Sequence, residues 1–200
     1  MTNAMRRTTA LLSIGLVPFA APLAAQQPVV IPPVATQIAA AVTPLPEELK
    51  SGAAVLGYTS GETLVTLREG TNDMICLAPD PAAKQFHSAC YHKAMEPFMA
   101  RGRALRASGV KGPEVDTVRF AEVKSGKLKV PAQPSMLYQI FGGTFDPGTR
   151  KVTGGSLLYI TYIPFATTAT TGLSSKPSEK SPWLMFPGTP KAHIMFSVGM

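Results

Sequence analysis

Met136–Phe141 (MLYQIF) and Leu157–Phe165 (LLYITYIPF) are two strongly apolar runs rich in Tyr, Ile and Leu. A Gly-rich connection containing Asp146-Pro147-Gly148 separates them. Runs of this length and composition, joined through a turn signal, read as an antiparallel hairpin with a long loop.

Working outward from it, the chain supplies further strands on both sides. Upstream, Ala54–Tyr58 and Thr63–Arg68 flank the turn Thr59-Ser60-Gly61-Glu62, and the second alternates Leu64, Thr66 and Arg68 with Val65 and Leu67. Period-two alternation fits a strand with one buried face. Met74–Leu77 follows the turn cluster Gly70-Thr71-Asn72-Asp73, and the economical expectation is a three-stranded antiparallel meander. Ala78–Gln85, with two prolines, reads as a loop. Downstream, Trp183–Phe186 and His193–Val198 flank Pro187-Gly188-Thr189-Pro190 as a last hairpin, beyond an irregular Thr/Ser/Lys-rich stretch from Ala166 to Ser181.

Two helices are expected between these groups. One starts near Glu96-Pro97, where proline suits the first helical position, and stops at Gly109. The other covers Glu114–Ser125, although a strand through Val118 and Phe120 fits nearly as well. The expected fold is therefore α+β: a mainly antiparallel sheet of about six or seven strands with two inserted helices.

The first residues read as an export signal. Arg6 and Arg7 precede about twelve apolar residues, Ala10 to Ala21, and small residues lead to a cut expected at Ala25/Gln26. A membrane-spanning helix needs about twenty apolar residues, so this run is too short to be one. The expected organisation is a cleavable signal over 1–25, a Pro-rich extended leader over 26–46 with a short helical piece around Ala35–Val42, and a single globular domain over 47–200. Localisation is expected to be periplasmic or extracellular, with no transmembrane segment in the mature chain.

The formal charge is +7, falling to +5 when Arg6 and Arg7 leave with the signal. Arg101–Lys129 holds eight bases against Glu114, Asp116 and Glu122, so the basic excess is one patch. It reads as solvated surface capable of weak contact with an anionic envelope surface. Nucleic acid is a poor partner, because the compartment is wrong and Phe120 is the single aromatic among these bases.

Cys76 and Cys90 are the only cysteines. In an exported chain an even pair implies a disulfide. Zinc held by Cys76, His87, Cys90 and His92 is the cramped alternative, and copper at His92, Met95 and Met99 competes with an ordinary core role for the methionines. Neither Gly-x-Ser-x-Gly, His-Glu-x-x-His nor a phosphate loop occurs, so no catalytic residue, cofactor or metal is assigned.

The run Arg68–Cys76, with Gly70-Thr71-Asn72 ahead of Cys76, and the segment Pro187-Gly188-Thr189-Pro190-Lys191-Ala192-His193 resemble a group of exported bacterial proteins. These share Gly-Thr-Asn-x-x-x-Cys and a Pro-Gly-Thr-Pro-x-Ala-His ending. The resemblance implies export and a shared fold and carries no activity. It nominates His193 and Asn72, beside His92, as weak functional candidates. The expected role is a non-catalytic envelope protein that binds a small molecule or another envelope component. The alternative is a hydrolase-like enzyme whose site assembles around His193 or His92.

Overall fold

The computed structural model describes residues 29–60 and 63–198, and the signal expected over 1–25 lies outside them. The first half runs α1 (Val34–Ala41), α2 (Glu47–Lys50), β1 (Ala54–Gly57), β2 (Val65–Arg68), β3 (Met74–Leu77), β4 (His87–His92), a 3-10 turn (Lys93–Met95) and α3 (Glu96–Ala107). Then follow α4 (Glu114–Lys124), β5 (Ser135–Phe141), β6 (Thr144–Asp146), β7 (Lys151–Thr153), β8 (Ser156–Tyr162), α5 (Thr168–Thr171), β9 (Trp183–Met185) and β10 (His193–Val198).

The class is α+β. Eight strands form one sheet in the order β2-β1-β3-β4-β5-β8-β10-β9, and β6 and β7 form a separate hairpin. Every neighbouring pair is antiparallel except β1 with β3. The long hairpin is present: Met136 to Phe141 pairs with Thr161 to Ser156, and β6–β7 is the Asp146-Pro147-Gly148 connection folded on itself. The expected run to Phe165 stops at Tyr162, because Pro164 has no N–H for a ladder. Both inserted helices form, and Glu114–Lys124 takes the helical option.

Strand number and order differ from expectation. The eighth strand is β4, His87–His92, a stretch between the loop Ala78–Gln85 and the α3 start to which the sequence assigns no element. His87-Ser-Ala-Cys-Tyr-His92 has polar ends and small residues, yet Ser88 to Tyr91 are all buried. Small side chains there leave room for α1, and Ser88 Oγ donates to Ala41 O at 2.7 Å. The three-stranded meander is also absent. The chain leaves β2 and crosses under β1 to place β3 on its far side, parallel to β1. Burial decides this: β2 carries Thr66 and Arg68 and takes the edge, while β1 and β3 bury Val55, Met74 and Cys76.

The crossing is made by Gly70-Thr71-Asn72. A Cβ on Gly70 would stand 2.7 Å from the backbone nitrogen of Ala54, so only glycine passes. Thr71 and Asn72 donate their backbone N–H groups to Gly52 O, and Asn72 Nδ2 donates to Leu49 O.

Two cores lie on the two faces. On one, Ala41, Val42 and Leu45 cover Val55, Met74, Cys76 and Cys90. On the other, Met95 and α3 cover Tyr91, Leu137, Ile160 and Tyr162. The short helical piece expected around Ala35–Val42 within the Pro-rich leader is present as α1, but the stretch around it does not stay outside the domain: Ala41, Val42 and Leu45 are part of the first core. Pro32 and Pro33 precede the helix and Pro44 and Pro46 follow it, so no proline interrupts its hydrogen bonds.

Candidate functional site

The nominated residues do not converge. Asn72 is a crossing device, accepting from Met74 N and donating to Leu49 O. His92 ends β4 and accepts from Ala94 N at 3.2 Å, capping the 3-10 turn, with Asp73 at 3.8 Å. His193 begins β10 on the opposite face of the sheet, with β5 and β8 between it and β4. Cys76 and Cys90 face each other across β3 and β4 and form a disulfide, fully buried in the first core. The zinc alternative would need these two sulfurs as thiolates. Met95 is core, as its helical position suggested.

His193 sits beside a polar cluster of Lys191, Asp116 and Arg119. Its Nδ1 donates to Lys191 O at 2.7 Å, and its ring stacks on Tyr162 with centroids 4.9 Å apart. Lys191 Nζ reaches Asp116 at 2.8 Å, and Asp116 also receives Arg119. Arg119, only 4% exposed, lies over the Phe98 ring at 3.9 Å and donates to Phe98 O. Its Nε has no partner.

Burial depresses the His193 imidazole below its ordinary value. Burial also pushes the Tyr162 phenol up to about 12. Burial would raise the Asp116 carboxyl too, but hydrogen bonds from Lys191 and Arg119 outweigh it and the net shift is downward. The chemistry available is thus a neutral imidazole with one free nitrogen and an un-ionised phenol. Both are at most a few per cent exposed.

The same cluster alters the reading of the basic stretch. Arg119 is interior. Arg101 makes a bidentate pair with Glu122, and Arg103 bridges Glu96 and the Tyr91 hydroxyl. Three of the eight bases therefore fasten α3 and α4 to each other and to the sheet, which departs from a uniformly solvated face.

Concave space lies elsewhere. A groove of about 770 Å³ runs between the leader helix and the tip of the β6–β7 hairpin. Ala35, Ile38, Ala39 and Val42 from α1 make its apolar wall. Lys50, Arg68, Arg150 and Lys151 bring cations to the opposite side, with Glu47 the one carboxylate. Glu47 is paired with Lys50 at 2.8 Å. Arg68 is fixed by Ala53 O and Lys50 O at 3.0 and 2.6 Å. No carboxylate lies within salt-bridge distance of Arg150 or Lys151 among the described residues.

Arg150 has φ 56°, a left-handed conformation costing a non-glycine residue about 1–2 kcal/mol. A second cleft of about 640 Å³ touches Tyr58, Asp80, Arg103 and Arg106, but Arg103 there is already committed to Glu96 and Tyr91. The turn signature at Asp146–Gly148 announces the hairpin in the sequence. Nothing local announces that it leans towards α1.

No family model matches this chain, and neither a curated protein nor a solved structure matches it.

Proposed function

We propose that this protein is an exported, non-catalytic binding domain of the cell envelope, and that its ligand is a small anion carrying an apolar tail. The observation that carries the reading is the groove between α1 and the β6–β7 hairpin, where an aliphatic wall faces Arg150 and Lys151 without carboxylate partners. Its volume suits a ligand of modest size, since such sites span roughly 300–1,000 Å³. A strained Arg150 is the second support: backbone strain kept at a site is commonly tied to what the side chain does there. Export rests on the expected signal and is compatible with the disulfide. Among the described residues, no helix is long and apolar enough to cross a membrane.

The hydrolase-like alternative assembles its site around His193 or His92; the two stand on opposite faces of the sheet, His193 packed on Tyr162 and His92 capping a 3-10 turn beside Asp73. That separation favours the binding reading.

The test is calorimetric titration of the full chain with dodecanoate and with dodecanol. Dodecanoate is expected to bind and dodecanol to bind at least about tenfold more weakly, the discrimination about 1.4 kcal/mol gives. Arg150→Gly removes the charge and relieves the backbone, so affinity should fall while the melting temperature holds or rises. Equal binding of acid and alcohol, or an unaffected Arg150→Gly variant, overturns the proposal.

A further inference from the structure

Two of the three non-glycine residues with positive φ among the described residues are phenylalanines, Phe165 at 65° and Phe186 at 55°. A bulky side chain rarely adopts this region, and both side chains also stand in solvent, 53% and 36% exposed. They are set on adjoining loops. Phe165 N donates to Thr189 O at 2.8 Å, Gly188 N to Ala166 O at 2.7 Å, and Ile163 N to Ala192 O at 3.0 Å. A Cβ on Gly188 would touch Thr167 Cγ2 at 4.0 Å, so the loops lie side by side. The Pro-Gly-Thr-Pro segment noted in the sequence is one half of this zipped pair.

The surroundings of the rings are polar and charged. Lys191 Nζ lies 4.5 Å from the Phe186 ring centroid, and the His193 ring is tilted against Phe186 at 5.8 Å. Below, Arg119 and Lys191 share the single carboxylate of Asp116, so the three side chains together carry one net positive charge. The hydroxyl-bearing turn Thr167–Thr171 begins two residues after Phe165, and Thr168 on it is exposed.

We infer that the Phe165 and Phe186 loops form a second binding surface, distinct from the groove, for a carboxylate-bearing saccharide of the envelope. Pyranose rings present C–H faces that pack on aromatic rings, and hydroxyl edges that need donors and acceptors nearby. Threonine hydroxyls beside fixed rings offer both. The net positive charge of the Arg119–Asp116–Lys191 cluster beside Phe186 favours an acidic sugar over a neutral one. A lipid surface asks only for protruding apolar area and cations. Here Phe186 is wedged against Lys191 and His193 and the backbone of each ring is pinned, which suits a ligand of defined stereochemistry.

The experiment titrates the full chain with trigalacturonate, with neutral galactotriose, and with vesicles of equal parts phosphatidylcholine and phosphatidylglycerol. Trigalacturonate is expected to bind, galactotriose to bind at least about tenfold more weakly, and the vesicles not to bind through these loops. Phe165→Gly and Phe186→Gly should each weaken trigalacturonate by about tenfold or more, the scale of losing an aromatic anchor. Glycine is favoured at positive φ, so Phe165→Gly should melt no lower than the parent, which separates lost binding from lost folding. Arg150→Gly should leave saccharide binding unchanged, whatever becomes of dodecanoate. Absence of trigalacturonate binding overturns the inference, as does equal affinity for galactotriose. Vesicle binding abolished by Phe165→Gly would replace it with membrane docking.

Discussion

Replacing Asp116 by Asn should destabilise the fold more than any other single change in the polar cluster. The variant keeps the shape of the side chain and removes the one negative charge shared by Arg119 and Lys191. Arg119 is 4% exposed, its Nε is already without a partner, and the carbonyl of Phe98 would be its remaining strong acceptor. Leaving a buried charge unpaired costs about 3–5 kcal/mol. Asp116 is itself 23% exposed, and solvent screening places the expected loss near the lower end, about 3 kcal/mol. For a domain of this size that is a fall in melting temperature of about 6–12 °C.

Arg119→Met should cost less than Asp116→Asn. Lys191 still satisfies the carboxylate and the unpartnered Nε is removed; what is lost is the hydrogen bond to Phe98 O, the ion pair with Asp116 and one cation–π contact, and no charge is left buried alone. The double variant Asp116→Leu with Arg119→Met should be more stable than Asp116→Asn alone, because the deeply buried charge is removed and the one cation that loses its partner, Lys191, is partly exposed. The assay is urea denaturation with the m-value held to the parent's, repeated across pH. The sign follows from linkage. The Asp116 carboxyl is depressed in the folded state, so its stabilisation is present above about pH 4 and is lost as pH falls through the folded value. The gap between parent and Asp116→Asn should therefore close in acid. An Asp116→Asn loss under about 1 kcal/mol at neutral pH, or a larger loss for Arg119→Met, would refute the reasoning.

His193 is depressed by burial, so the unfolded chain binds its proton first as pH falls; stability should decline below about pH 6.5, and His193→Gln should flatten that limb in the same urea series. Replacing Cys76 and Cys90 by Ala should cost about 2–5 kcal/mol, and the unreduced protein should weigh about 2 Da less than the dithiol and resist iodoacetamide; two alkylated cysteines without reductant would contradict the bond. Gly70→Ala pushes a methyl into the Ala54 backbone at 2.7 Å and should lose about 1–3 kcal/mol or shift the crossing, whereas a neutral result by denaturation would mean the crossing has slack.

What the sequence discloses follows from how local the cause is. The β5–β8 pair, the final hairpin, the α3 and α4 spans and the disulfide were all readable, because each depends on apolar runs, caps or a count of two cysteines. β4 was not, since a strand of Ser, Ala and Cys between two histidines carries no apolar signature; its reason is the helix lying on it. The parallel β1–β3 pair was missed for a similar reason: a meander and a crossing share the same local turn, and only the relative burial of β2 and β3 separates them. The short helix of the leader is legible because the prolines bracket it, but its burial against β1, β3 and β4 is not, since nothing local marks Ala41, Val42 and Leu45 as core. Arg119 illustrates the limit most clearly. As one base among eight it looks like surface, and only the fold seats it on Phe98 beside Asp116.

The two sequence segments that drew attention as motifs differ in what they now support. Gly70-Thr71-Asn72 is accounted for by chain crossing: the glycine lets β1 pass, Thr71 and Asn72 bond Gly52 O, and Asn72 ties down α2. No capacity is left over that a ligand would explain. Pro187–His193 is different. Its hydrogen bonds to Ile163–Ala166 account for the loop's path, and Lys191 and His193 account for its inner side. The same bonds could hold a glycine at 165 or 186 with less strain, yet phenylalanines stand there with their rings outward. Lys191 and His193 pack against the Phe186 ring, but no aromatic or cation–π contact holds the Phe165 ring among the described residues, and its strained, outward placement is what the proposed saccharide surface accounts for.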